Sequence, residues 1–247
     1  MFGKIFKKKI KTASFDVEVP KIIVGKHGAG SESYYRLRDN VIYCSDNGKN
    51  KIFQIESSVS GEGKTTVTSN LAVALAQCGK KVVVVDLDFH RPKLHRVFSF
   101  PNFNGLAEYM LGECKKSELI KHTEYGVDVI NRGKAAYNTS AIFTSNNFAN
   151  LLEELKKEYD IVLMDCPPVL LVSDYIHLSK VSDAVMFVVS CGVTHRAQLK
   201  DSLELLKRSH NNISGIILTY KNNGKFGLKY SDRYYSGMYY RDSKNEY

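Results

Sequence analysis

The residues with most chemical content lie in one short run, Ser58-Val-Ser-Gly-Glu-Gly-Lys-Thr65, and at the ends of two apolar runs further along. Gly61-Glu62-Gly63-Lys64-Thr65 closes a phosphate loop of the G-x-x-x-x-G-K-[ST] kind, with Ser58 where that pattern opens on glycine. Glycines let successive backbone N–H groups turn inward around an anion, and a following helix adds its positive end. Ser60, Gly61, Glu62, Gly63, Lys64, Thr65 and Thr66 are therefore the expected nucleotide-binding residues. Lys64 can reach the β/γ-phosphates, and the Thr65 hydroxyl can take one position on an octahedral Mg2+.

Carboxylates accompany the loop. Lys81-Val-Val-Val-Val-Asp86-Leu-Asp88 reads as a strand buried on both faces that delivers two carboxylates at its end. Ligands of open α/β sheets bind outside the carboxyl ends of strands, so Asp86 and Asp88 should face the crevice of Lys64. Asp160-Ile-Val-Leu-Met-Asp165-Cys-Pro-Pro168 repeats that logic in the form of a Walker B strand, whose Asp165 is expected to hold Mg2+ directly or through water. The metal set read here is Thr65, Asp86 and Asp165. A basic loop over 89–100 follows the first pair at the same end of the sheet.

The elements around these residues alternate strand and helix. Apolar spacing predicts a strand over Ile52–Glu56 and a helix after the loop, with Val67, Leu71, Ala74, Leu75 and Cys78 on one inward face. A helix over 31–44, capped by Ser31, precedes them, with Tyr34, Leu37, Val41 and Ile42 inward. Short helices are expected over 105–111 and 115–121, strands over 126–131, 183–190 and 213–220, and longer helices over 146–157 and 195–209. The repeat implies one doubly wound, mainly parallel sheet of the P-loop NTPase type, α/β in class. Residues 31–220 form that domain, 1–30 a basic tail and linker, and 221–247 a flexible tyrosine-rich tail.

Composition agrees with a globular domain. Five scattered cysteines in 247 residues, with no C-x-x-C, suit a reducing cytosol and argue against structural zinc. No apolar run has the length of a membrane span, and the N-terminus has no signal-peptide h-region. Met1–Lys11 sets Phe2, Ile5, Phe6 and Ile10 against five lysines, either a frayed tail or a face suited to an anionic membrane. The net charge of +9 favours anionic partners.

From Lys221 onward the composition changes. Tyr230, Tyr234, Tyr235, Tyr239, Tyr240 and Tyr247 stand among Gly, Ser, Asn, Lys and Asp with no amphipathic period. Such tyrosines read either as an aromatic docking tail or as phosphate acceptors. Six basic residues against three acidic ones give the segment a charge of +3. Each phosphate adds about −1.5 to −2, so two phosphates reverse that sign.

The phosphate loop, the V-V-V-V-D-L-D and I-V-L-M-D-C-P-P strands and the terminal tyrosines together resemble the bacterial (BY-type) protein tyrosine kinases. The chain looks like the split form, in which a membrane-spanning activator is a separate polypeptide. The likeness runs from about Ser31 to the C-terminus, and Gly105-Leu-Ala-Glu-Tyr-Met-Leu-Gly112 belongs to it. It implies ATP and Mg2+ as cofactors, Asp86 and Asp88 as an additional Walker A′ pair, and trans autophosphorylation of the tail within a ring. Implied partners are the activator (a chain-length determinant), a cognate tyrosine phosphatase and further copies of the chain; no nucleic acid is expected. The implied place is the cytoplasm, at the membrane's inner face, in capsular or exopolysaccharide synthesis and export. The family's oligomerisation motif E-x-x-R-x-x-R maps to Glu32, Arg36 and Arg38, with Tyr35 at its middle position and Arg36 beside it. Three further departures are His90 before Arg91 in the A′ motif, Ser60 for the usual Pro, and the lack of a Pro-rich acidic stretch at 137–141.

A phenol with pKa near 10 is about one part in a thousand ionised at pH 7, so transfer to tyrosine needs a base. Asp86 is expected to serve, with Asp88 sharing proton or metal handling and Lys64 stabilising charge on the transferring group. Two rival readings exist: a deviant-Walker ATPase of the partition and cell-division type, and a nucleotide-binding scaffold without kinase activity. The first carries a signature lysine where this chain has Val59.

Overall fold

The computed structural model describes residues 19–25, 29–45, 48–134, 138–209 and 212–220. Helix α1 (Ala29–Cys44) leads to β1 (Ile52–Ser57), the phosphate loop and α2 (Lys64–Gln77). After β2 (Val82–Asp86) come α3 (Leu94–Val97), α4 (Leu106–Met110), α5 (Lys116–Leu119), β3 (Lys121–His122) and β4 (Val127–Ile130). Helices α6 (Thr139–Phe143) and α7 (Asn146–Glu158) precede β5 (Ile161–Asp165), and α8 (Tyr175–Leu178), β6 (Ala184–Cys191), α9 (Arg196–Arg208) and β7 (Ile213–Tyr220) complete the order.

Among the described residues seven strands lie in the order β3-β4-β2-β5-β1-β6-β7. Every pairing is parallel except β3 with β4 at the edge. The expected doubly wound α/β sheet is thus what the chain forms. The chain leaves β1 toward β2 on one side and leaves β5 toward β6 on the other, although β1 and β5 are neighbours. Opposite departures from adjacent strands open a crevice at their carboxyl ends, where both the phosphate loop and Asp165 sit.

Two apolar layers sandwich the sheet, and the valine run shows why β2 is central. Val82 and Val84 enter the layer under α2, whereas Val83 and Val85 enter the layer under α7. A strand buried on both faces has no use for alternation. A third cluster, Val185, Phe187 and Val189 of β6 with Leu206 of α9, covers the β6 end.

Helix α2 departs from the expected single inward face. Every residue from Val67 to Leu75 is buried, because α1 lies across the side turned away from the sheet. Cys78 falls at the exposed C-cap instead of in the core. Part of the stretch read as linker packs here too. Asn70 accepts from Ile23 N at 2.7 Å and donates to Lys21 O at 2.9 Å, and Val24 is buried. Ser31 does not cap α1, which begins at Ala29; its hydroxyl donates to Ile23 O at 2.8 Å. Among the described residues no helix is long and apolar enough to cross a membrane. The N-terminal basic segment and all six tail tyrosines lie outside the described residues.

Candidate active site

Two left-handed glycines shape the phosphate loop: Gly61 has φ 88° and Gly63 has φ 96°. Gly63 is the N-cap of α2 and no side chain caps that helix, so its first N–H groups face the loop unclaimed by a side chain. Lys64, the first residue of α2, is buried and its Nζ donates to Ser57 Oγ at 2.9 Å. Thr65 follows on the same turn and hydrogen-bonds Asp165. Thr68 Oγ1 lies 3.4 Å from Asp165 Oδ1. Thr66 is half-buried in that turn, its carbonyl receiving the Asn70 amide at 2.9 Å.

Asp86 and Asp165 end neighbouring strands as partners in register. Both are buried. Burial raises Asp86 well above the ordinary carboxylate range, and the charges of Asp165 and Asp88 push it further. Burial also lifts Asp165, to about 6, although the Lys64 charge and the Thr65 bond hold it down. Asp86 is fixed by backbone donors, from Asp88 N at 3.3 Å and from Lys93 N and Leu94 N at 3.2 Å. Those last two start α3, an element inside the stretch read as a plain basic loop. Asp88 is half-buried and accepts from His90 N at 3.2 Å and Arg91 N at 2.9 Å. Arg91 Nη1 reaches back to Ser60 Oγ at 3.5 Å.

Lys64, Thr65, Asp86, Asp88 and Asp165 therefore converge at one strand-end crevice, with Ser60 and Gly61 on its rim. Glu62 stands apart: its carboxylate accepts from Val59 N at 2.7 Å and from Thr194 Oγ1. Glu32, Arg36 and Arg38 lie on α1, away from the crevice. Arg36 pairs with Glu32 at 3.6 Å and Arg38 with Asp39 at 2.8 Å.

Mg2+ fits the donors present. Two buried carboxylates share one rung of neighbouring strands, the charge of Asp165 adds to the upward shift of Asp86, a hydroxyl stands beside them, and all are hard oxygen ligands. Among the described residues no group of three His, Cys, Asp or Glu side chains forms a protein-only metal cage. Mg2+ is usually held by one or two carboxylates together with phosphate and water, which this set matches.

Sequence reasoning passed over Glu56. It is buried beside Gln54, whose Nε2 donates to Glu56 Oε1 at 2.6 Å. Two polar residues at i and i+2 in an otherwise apolar central strand were the available signal. Thr194 and Thr219 gave none, since neither stands in a recognisable pattern.

The fold and loop define a P-loop nucleotide-binding domain, and a family described as an AAA domain matches residues 50–216. The chain belongs to the bacterial tyrosine-protein kinases of the BY type. It is 33% identical over 208 residues to the tyrosine-protein kinase YwqD of Bacillus subtilis, covering 84% of this chain and 86% of that one. It is 32% identical over 188 residues to the tyrosine-protein kinase ptk of Acinetobacter johnsonii, covering 76% of this chain but only 26% of that longer protein. Among solved structures, that of the chimerical protein CapA2B2 superposes with a TM-score of 0.77 at 32% identity, covering 82% of this chain and 93% of the other.

Proposed function

We propose that this tyrosine kinase transfers the γ-phosphoryl group of ATP to its own C-terminal tyrosines, in trans between copies. The observation that carries the reading is the convergence of Lys64, Thr65, Asp86 and Asp165 at one crevice. Lys64 places a buried positive charge where the terminal phosphates come to rest, and the N–H groups opening α2 orient them. Thr65, Asp86 and Asp165 would hold Mg2+, which when bound neutralises charge on the phosphates and between the carboxylates. Asp86 takes the phenolic proton, its carboxylate aimed by three backbone donors. Asp88 orders the turn carrying Arg91 and assists with proton or metal handling.

The acceptors are Tyr230, Tyr234, Tyr235, Tyr239, Tyr240 and Tyr247. Their phosphorylation reverses the charge of the segment, a graded signal for synthesis and export of capsular or exopolysaccharide. A membrane-spanning activator recruits the chain to the membrane's inner face, and a tyrosine phosphatase resets it. Glu32, Arg36 and Arg38 on α1 serve contacts between copies in a ring.

The rival ATPase reading has little support, because Val59 has no charge to offer a neighbouring nucleotide. Mass spectrometry of residues 221–247 after incubation of the purified chain with Mg-ATP tests the proposal. Tail phosphotyrosine is expected. Phosphate release without it would turn the reading to an ATPase, and neither signal would turn it to a scaffold.

A further inference from the structure

Glu62 is in the phosphate loop but is 1% exposed, and both its carboxylate oxygens are engaged by protein. One accepts from Val59 N, inside the loop, at 2.7 Å. The other accepts from Thr194 Oγ1, in the turn between β6 and α9. Thr194 is itself held, since its hydroxyl oxygen accepts Ser190 N at 2.9 Å. The Glu62 carbonyl makes a third link: Thr219 Oγ1 donates to it at 2.8 Å. The next residue, Gly63, turns its vacant Cβ direction toward the same Thr219 side chain, at 3.5 Å. Thr219 is the penultimate residue of β7, and the tyrosine-rich segment begins one residue beyond that strand's end.

We propose that Glu62 is a positioning residue, a strut that ties the phosphate loop to the β6–α9 turn and to the root of the C-terminal segment. Its carboxylate acts by geometry and touches neither phosphate nor metal. Buried acceptors with two good donors hold a loop in one shape, and a loop so held receives an anion without first having to order itself. Through Thr219 the same strut makes the end of β7 respond to what occupies the loop. The link to tyrosine transfer rests on the kinase reading above; the strut does not.

The test therefore uses binding and exchange. ADP affinity in Mg2+ is measured by calorimetry, with a melting curve for each variant. Glu62→Ala and Thr194→Val each leave a buried donor or acceptor unmatched, and each weakens ADP by about tenfold. Glu62→Gln stays within about twofold, because its amide oxygen accepts from Val59 and its NH2 donates to Thr194. If Glu62→Gln binds as poorly as Glu62→Ala, the carboxylate charge is what matters and the strut is overturned. Wild-type affinity in both Glu62→Ala and Thr194→Val overturns it equally. Should Glu62→Ala fail to fold, Thr194→Val with Glu62→Gln decides. Hydrogen exchange at 219 and 220 reads the second half: ADP slows it in the wild-type chain, and Thr219→Val removes that response. Persistence of the response in Thr219→Val would disconnect the root of the tail from the loop. None of these readouts needs phosphotyrosine, so failure of the kinase reading would appear separately.

Discussion

Asp86 and Asp165 face each other on the last paired rung of β2 and β5, two buried carboxylates in register with Lys64 beside them. Like charges so placed destabilise the metal-free protein and attract a divalent cation. Removing one should move stability and function in opposite directions. Asp165→Asn is expected to stabilise the metal-free chain by about 1 kcal/mol, while weakening Mg-ADP binding by at least about tenfold. Urea denaturation in EDTA and calorimetry with Mg-ADP check the two halves. A destabilised, tightly binding variant would contradict the pairing.

Asp86→Asn should separate chemistry from binding. Its amide oxygen still accepts one of the backbone N–H groups that start α3, so the local turn survives. It cannot take a phenolic proton at neutral pH. The rate of tail phosphorylation should fall by at least about a hundredfold, with the affinity for ADP in EDTA, where no metal contributes, within about threefold of wild type. Quantitative phosphotyrosine mass spectrometry against a calorimetric titration reads this. Unchanged phosphotyrosine would remove Asp86 from the mechanism.

The parts of this site legible in the sequence were those with a fixed local grammar. The glycine loop, the four valines ending on Asp86 and the I-V-L-M-D run each declare a strand end, and the sheet places them together by topology alone. What stayed hidden depends on contacts distant in sequence. Thr194 and Thr219 acquire meaning only when β6 and β7 bring them to the loop, 132 and 157 residues away from Glu62. Helix α2 reads as one-sided because nothing local announces that α1 will cover its other face. Spacing puts Cys78 inside, but the helix ends there and the side chain meets solvent. The two-residue strand β3 is too short to carry any period, and its first residue, Lys121, reads as the end of a helix.

Gly105 tests the packing behind the crevice. A Cβ there would lie 2.3 Å from Gly133 N, 2.5 Å from Asn131 O and 2.6 Å from Gly133 Cα, all of them backbone atoms. Backbone cannot step aside as a side-chain tip can. Gly105→Ala should cost about 3 kcal/mol or more of stability. Urea denaturation measures it, and a loss under about 1 kcal/mol would show that the α4 entry can shift to make room.

Glu56 offers a prediction in pH. It is fully buried; Gln54 donates to one oxygen, and the Cys166 thiol is beside the carboxylate. Burial lifts its pKa from the ordinary 4.5 to about 8, against the Gln54 bond and the Lys64 charge, which both pull it down. Between those two values the unfolded chain has lost a proton that the folded chain keeps. Stability from this group is therefore complete below about pH 4.5 and drains away as pH rises toward about 8. Glu56→Gln keeps the shape and an acceptor for Gln54 but does not titrate. In EDTA, the two proteins should be equally stable near the lower end of that window. At its upper end the variant should lead by about 2–4 kcal/mol. Asp86, Asp165 and Cys166 are also shifted upward, so the variant retains some slope of its own. The difference between the two urea-denaturation profiles isolates Glu56, and a difference that stays constant with pH would mean that this carboxyl keeps an ordinary pKa in the folded chain.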